Sequence, residues 1–207
     1  MIRQFIKHQD TWEADLNNLT PKHKLARRQV IQHYIVLKDV FDRKYAPLSV
    51  EQIKNWHRTL MKEIIPNSGD YRKDGCMAGM KIFPEPTLVS EMMDSLVKQY
   101  NLFDRNHFSP YAVAAWLSHA FVSIHPFSDG NGRLSRLLGN YVMFSYGFPY
   151  PTPISNVKRA YMKALRLADR DYSNGRDTSH LAFIFLENSN MVFSNYLANK
   201  NLTQEFK

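Results

Sequence analysis

The chain is 207 residues long and 44% hydrophobic, enough apolar material for a single compact domain with its own core. Its one cysteine, Cys76, excludes an internal disulfide, and no apolar run approaches the roughly 20 residues that span a bilayer. The net charge of +8 admits a phosphate-bearing partner, but the basic residues are scattered without a nucleic-acid-binding signature, which argues against nucleic acid.

The opening run Met1-Ile2-Arg3-Gln4-Phe5-Ile6-Lys7 has no apolar stretch of signal-peptide length. A soluble cytoplasmic protein with no membrane partner is therefore expected, and export as an effector by a dedicated machine is compatible with that. No repeat, low-complexity tract or Gly/Ser linker interrupts the chain, so residues 1–207 read as one domain.

The pattern is mostly helical. Thr20 suits an N-cap and Pro21 the first helical position, and Leu25, Val30, Tyr34, Leu37 and Phe41 then recur near helical spacing. A second helix is predicted from Ser49, with Gln52 completing a capping box and Pro66-Asn67-Ser68-Gly69 ending it. Residues 70–86 break the helical pattern: Gly75 and Gly79 flank a short run before Pro84 and Pro86, which reads as a small hairpin or flap. A helix follows from about Leu88 to Tyr100. Ser109-Pro110 opens the next, and Tyr111 to Ile124 is apolar nearly all round, as a central buried helix requires. Another helix is expected from near Gly132 to Gly147, with two more near residues 157–169 and 178–198.

The buried helix runs into His125-Pro126-Phe127-Ser128-Asp129-Gly130-Asn131-Gly132-Arg133-Leu134-Ser135-Arg136. Pro126 blocks helical geometry at the residue before it, so the chain turns at His125. Gly130, Asn131 and Gly132 let backbone N–H groups converge, and the following helix adds the positive end of its dipole, together making an anion nest. Arg133 and Arg136 lie three apart and point to similar sides of that helix, which suits a polyphosphate. Asp129, just before the nest, can hold Mg²⁺, which binds through one or two carboxylates plus substrate phosphates. His125 has the pKa range for general-base work near neutrality.

Taken singly, each feature has a plainer explanation: a helix-end cap, ordinary Asp-Gly and Asn-Gly turns, a solvated arginine face. Their occurrence in this order within twelve residues points to phosphoryl or nucleotidyl transfer. No Gly-Lys-Ser/Thr follows the glycines, so this is not a Walker loop, and the preceding apolar helix rules out a Rossmann turn. The other histidines (8, 23, 33, 57, 107, 119 and 180) show no metal spacing and read as structural or surface residues.

The segment His125 to Arg136 resembles the signature of Fic-domain (Fic/Doc) proteins, His-x-Phe-x-Asp/Glu-Gly-Asn-Gly-Arg-x-x-Arg, at every defined position. Gly69-Asp70-Tyr71-Arg72 resembles the family's Gly-x-Tyr/Phe-Arg element before the flap, Ser109 to Ile124 its central helix, and Tyr161 to Asp169 its nucleotide-side helix. Residues 45–190 look like the Fic core, with N-terminal helices within 1–44.

The resemblance implies an all-α Fic fold, a helical bundle around a central buried helix with a small β-hairpin flap. It implies a protein adenylyltransferase that moves AMP from ATP, with Mg²⁺ as cofactor, onto a Ser, Thr or Tyr hydroxyl of a target protein. Transfer of UMP, GMP or another phosphate-linked group, or a non-catalytic nucleotide-binding module, are the alternatives. In that scheme His125 deprotonates the hydroxyl, Asp129 holds the metal, and Gly130, Asn131 and Gly132 stabilise the α-phosphate. Arg133 pairs with the β-phosphate side and Arg136 with the γ-phosphate end. Cys76, Met77, Ala78 and Gly79 line the nucleotide, and the flap at 74–83 docks the target by strand addition. Asn140, Tyr161 and Asp169 complete the nucleotide side, although Asp169 departs from the Asn or Gly of relatives.

Many Fic proteins carry an inhibitory Ser/Thr-x-x-x-Glu-Gly/Asn helix whose Glu pairs with the second signature Arg. Thr11/Glu13, Thr59/Glu63 and Thr87/Glu91 each fail that pattern, and Glu187-Asn188 is preceded by Phe183 in place of Ser or Thr. The expectation is a site without a built-in lock on Arg136, controlled by other means such as an inhibitor acting in trans.

Overall fold

A computed structural model of the protein describes residues 20–154, 158–170 and 177–205. The elements are α1 (Pro21–Asp42), α2 (Val50–Met61), the hairpin β1 (Met77–Ala78) and β2 (Lys81–Ile82), and a 3₁₀ turn (Pro86–Leu88). Then come α3 (Val89–Asn101), α4 (Pro110–Ile124), α5 (Asn131–Ser145), α6 (Lys158–Arg170) and α7 (Ser179–Glu205). The expected all-α Fic-type bundle with a two-stranded flap is what forms. The part of the expected N-terminal helices that falls in residues 1–19 lies outside the described residues.

The local signals act where the sequence places them. Thr20 accepts a hydrogen bond from the His23 amide at 3.4 Å and opens α1. Ser49 accepts from the Gln52 amide at 3.1 Å and opens α2. Gln52 Nε2 on that helix is buried without a hydrogen-bond partner. The helix also stops earlier than expected, at Met61 rather than at Pro66–Gly69. α1 captures the chain there: Gln32 Nε2 donates to the Lys62 carbonyl at 2.7 Å and Arg28 pairs with Glu63 at 3.0 Å. Lys62 adopts an extended ψ of 128° and Glu63 a left-handed φ of 58°. Those tertiary bonds override the local helical preference.

α4 is the centre of the bundle, packed on α5 and α7 and flanked by α3, while α1 lies across α2 and α5. Ala114, Leu117 and Phe121 are fully buried on it, as its all-round apolar sequence predicts. The three helices approach closely at Gly139 of α5. A Cβ there would stand 2.4 Å from Phe185 Cζ of α7 and 2.7 Å from Ser118 Oγ of α4. Ser118 in turn donates to the Ser135 carbonyl at 3.0 Å, so neither neighbour gives way freely. Gly139→Ala is expected to destabilise the fold by about 2 kcal/mol, measured as a lower urea midpoint at unchanged m-value.

Candidate functional site

The site is built where α4 ends and α5 begins. His125 terminates α4 in the left-handed region at φ 52°, with its amide still bonded to the Phe121 carbonyl at 3.1 Å. A non-glycine residue is held there only by its surroundings. Arg72, buried just ahead of the flap, donates from Nε to the His125 carbonyl at 2.8 Å, from Nη1 to the Asp74 carbonyl at 2.9 Å and from Nη2 to the Pro84 carbonyl at 2.5 Å. One guanidinium thus ties the signature to both ends of the flap. Phe83 stacks on the His125 ring with centroids 4.0 Å apart.

The His125 ring has a defined role for each nitrogen. Nδ1 lies 3.3 Å from the Val122 carbonyl, and a carbonyl only accepts, so Nδ1 carries the proton. Nε2 is left with its lone pair, the form a general base needs. Burial pulls the ring's pKa below its ordinary value. The Val122 bond opposes this, and the charges of Arg72 and Lys81 add to it.

The anion nest follows. Gly130, at φ 81°, precedes α5, and no side chain caps that helix. The first helical amide bond in this turn runs from Leu134 to the Gly130 carbonyl at 3.0 Å. The amides of Asn131, Gly132 and Arg133 therefore have no intrahelical acceptor and face the start of the helix as donors. This contrasts with α1 and α2, whose ends are capped by Thr20 and Ser49. Asn131 contributes through its backbone, because its side chain turns inward: Oδ1 accepts from the Phe127 amide at 3.1 Å and Nδ2 donates to the Phe127 carbonyl at 2.7 Å. Phe127 itself is fully buried, the anchor the loop needs.

His57, which the sequence leaves among the structural histidines, proves to be the clamp behind the nest. Its ring lies parallel to Phe127, 3.7 Å between centroids and 4° between planes. The Gly69 amide donates to Nδ1 at 2.8 Å, and Nε2 lies 2.9 Å from the Asp129 carbonyl. Only the neutral Nε2–H tautomer satisfies both partners. Burial accordingly lowers its pKa to about 4. A Cβ on Gly130 would meet Met61 Sδ at 2.9 Å and His57 Nε2 at 3.2 Å, so both the space and the positive φ require glycine.

Asp129 and the arginines frame the nest. The Asp129 carboxylate is 64% exposed, accepts from the Gly130 amide at 2.6 Å and stands 3.6 Å from Arg133 Nη2. One accessible carboxylate beside an anion nest fits Mg²⁺, whose remaining ligands come from phosphates and water. Among the described residues no group of three His, Cys, Asp or Glu gathers into a metal cage. Arg133 also lies 3.0 Å from Met61 Sδ, and its Nη1 is buried without a partner, a donor left over for an incoming anion. Arg136 is desolvated, which lowers its pKa; Tyr161 counters this and Arg133 adds to it. His33 of α1 faces the same pair, its pKa lowered by burial and then by Arg136 and Arg133.

The outlying predicted residues fall in different places. Cys76 is half-buried at the base of the hairpin, its carbonyl accepting from the Phe83 amide at 3.1 Å, and Met77, Ala78 and Gly79 form the exposed first strand and turn. Tyr161 is buried, with its hydroxyl 3.3 Å from Ser135 Oγ. Asn140 binds backbone through its side chain. Its two amide hydrogens go to the Arg136 carbonyl at 3.0 Å and the Thr152 carbonyl at 3.2 Å, and its Oδ1 accepts from the Thr152 amide at 2.7 Å. It secures the chain after α5. Asp169 of α6 meets Lys81 of the flap at 2.5 Å and His119 of α4 at 3.0 Å. Burial alone would raise its pKa, and those two partners more than reverse the effect.

Comparison with known proteins agrees with this geometry. The profile of the Fic/DOC family matches residues 47–143. A Fido domain-containing protein of Dictyostelium discoideum is 56% identical over 143 residues, which is 69% of this chain and all of the relative. The protein adenylyltransferase Fic of Drosophila persimilis is 31% identical over 124 residues, 59% of this chain but only 24% of the relative's length. Among solved structures, a Fic domain-containing signalling protein from Bacteroides thetaiotaomicron aligns with a TM-score of 0.63 and 29% identity, covering 81% of this chain and 67% of that one. The signature geometry and a relative matched along its whole length together establish that the chain belongs to the Fic/DOC family.

Proposed function

We propose that the protein is an adenylyltransferase that transfers AMP from ATP to a Ser, Thr or Tyr hydroxyl of a target protein. The observation that carries this reading is the uncapped start of α5. Three unpaired amides and an unpaired Arg133 donor converge there, beside a histidine base whose Nε2 is free. His125 Nε2 takes the hydroxyl proton, the oxygen bonds to the α-phosphorus, and the α–β anhydride bond breaks to release pyrophosphate. The amides of Asn131, Gly132 and Arg133 meet the charge that grows on the α-phosphate. Arg133 and Arg136 hold the phosphates beyond it. Asp129 would hold Mg²⁺ bound with the nucleotide, and the metal would neutralise charge on the departing phosphates. The hairpin within residues 74–83 offers its edge to an extended segment of the target. Relatives that are named adenylyltransferases support the reading, and this chain spans about a quarter of their length. A structural neighbour, IbpAFic2, is known in complex with adenylylated Cdc42, which supports a protein as the class of substrate.

Among the described residues no carboxylate is paired with Arg136. Thr11 and Glu13 lie outside the described residues. Control by a partner, such as an inhibitor acting in trans, belongs to the same proposal. The test is incubation of the purified protein and cell lysate with labelled ATP, UTP or GTP, read by intact-mass and peptide mass spectrometry. AMP on hydroxyl side chains is the expected product, and Glu187→Gly is expected to leave the rate unchanged. UMP or GMP adducts would replace the nucleotide assignment, no adduct from any nucleotide would favour a binding module, and strong activation by Glu187→Gly would restore an internal lock.

A further inference from the structure

The flap is small for the precision it needs. Its strands are two residues each, paired Met77 with Ile82 and Ala78 with Lys81, and an isolated hairpin of that size is marginal in water. Side chains alternate across it. Met80 is 99% exposed and Ile82 78%, while Lys81 and Phe83 turn inward. Phe83 reaches His125, as described. Lys81 reaches further, to two side chains on two helices and to the neighbouring Phe83 ring. Its ammonium lies 2.5 Å from Asp169 Oδ1 on α6, 3.2 Å from Ser123 Oγ on α4, and 5.4 Å from the centre of the Phe83 ring. His119, 2% exposed on α4, stands 3.0 Å from the same Asp169 oxygen and 3.4 Å from Ser123 Oγ.

We propose that Asp169 is a positioning residue that fixes the flap over His125 by holding Lys81, with His119 steadying the carboxylate from behind. The charge matters as well as the shape. Lys81 offers three donors and no acceptor, so the carboxylate is matched to it, whereas a neutral amide would present a competing donor. The carboxylate therefore couples α6 to the strand whose next inward residue, Phe83, stacks on the base. Loss of the tether leaves the flap's base intact, because Arg72 holds both of its ends, but frees the turn at Gly79. The expected consequence is a target segment held at a less defined height above His125.

The structural claim stands on the contacts alone; its effect on turnover rests on the transferase reading. The experiment is hydrogen–deuterium exchange of the full chain, comparing wild type with Lys81→Met, Asp169→Asn and the double variant. Both residues are partly exposed, which keeps these variants within reach of a folded state, and unchanged exchange in α4 and α5 verifies it. Each single variant is expected to speed exchange across residues 77–82 by about tenfold, and the double variant no more than either single. Flap exchange within about twofold of wild type in both singles, or effects that multiply in the double, would overturn the tether. On a modified target, Lys81→Met is expected to raise KM for the protein more than it lowers kcat, with Lys81→Arg restoring most of the loss. Coupled flap exchange in a protein that modifies nothing would leave the tether standing and remove the transferase reading. Transfer with uncoupled exchange would do the reverse.

Discussion

Replacing His125 with Ala is expected to lower the transfer rate by about a hundred- to ten-thousandfold while ATP affinity stays within a few-fold of wild type. The separation follows from where the contacts lie. In the proposed transferase the phosphate donors are the backbone amides of α5 and the guanidinium groups of Arg133 and Arg136, none of which passes through the imidazole. The imidazole acts only when a hydroxyl proton has to move. Titration calorimetry for ATP, with single-turnover transfer at saturating ATP, measures both halves. Transfer by His125→Ala at the wild-type rate would remove the base from the mechanism.

The same residue sets an acid limit. The base must be neutral, and burial lowers its pKa below the usual histidine value, so the neutral form persists to lower pH than in a free imidazole. Transfer is expected to hold as pH falls through 6.5 and to decline only further down. A decline centred above the ordinary histidine range would contradict the assigned environment.

How much of this was legible depended on whether the chemistry was local. Residues 125–136 carry His125, Asp129, the glycine turn and both arginines within one stretch, and folding keeps them together around the turn at Pro126. The caps at Thr20 and Ser49 and the flap turn at Gly79 were equally local. His57 was not. It lies 72 residues from Asp129, whose carbonyl it faces, and spacing along the chain tests only for partners on the same element. His119 shows no metal spacing in the sequence either, and one of its partners is Asp169, 50 residues on. Asn140 is of the same kind: its donors go to the backbone carbonyls of Arg136 and, 12 residues on, Thr152. Arg72 was visible as a motif member, but three carbonyl acceptors from separate segments could not be read from its neighbours.

His57 carries the second large effect. Between pH 6.5 and 4 the protein is expected to lose about 3 kcal/mol of stability through this one ring. The sign is fixed by burial of the ring. In the unfolded chain the imidazole takes a proton near its ordinary pKa of 6.5, and in the folded chain only near 4. The unfolded state therefore binds more protons throughout that window, so the contribution is complete above about pH 6.5 and is lost as pH falls toward 4. Burial is the main cause, and a proton on Nδ1 would also point at the Gly69 amide and abolish its 2.8 Å bond. Urea denaturation at pH 7 and 4.5 measures this when wild type is set against His57→Gln. The variant is less stable at pH 7 because it forfeits the stack on Phe127, and it loses less on acidification. That comparison cancels the shared contributions of His33 and His125. Parallel acid losses in the two proteins would mean that His57 titrates freely and that something else holds the nest against α2. A flatter variant curve ties the stability of the loop at Asp129 and Gly130 to a single neutral tautomer.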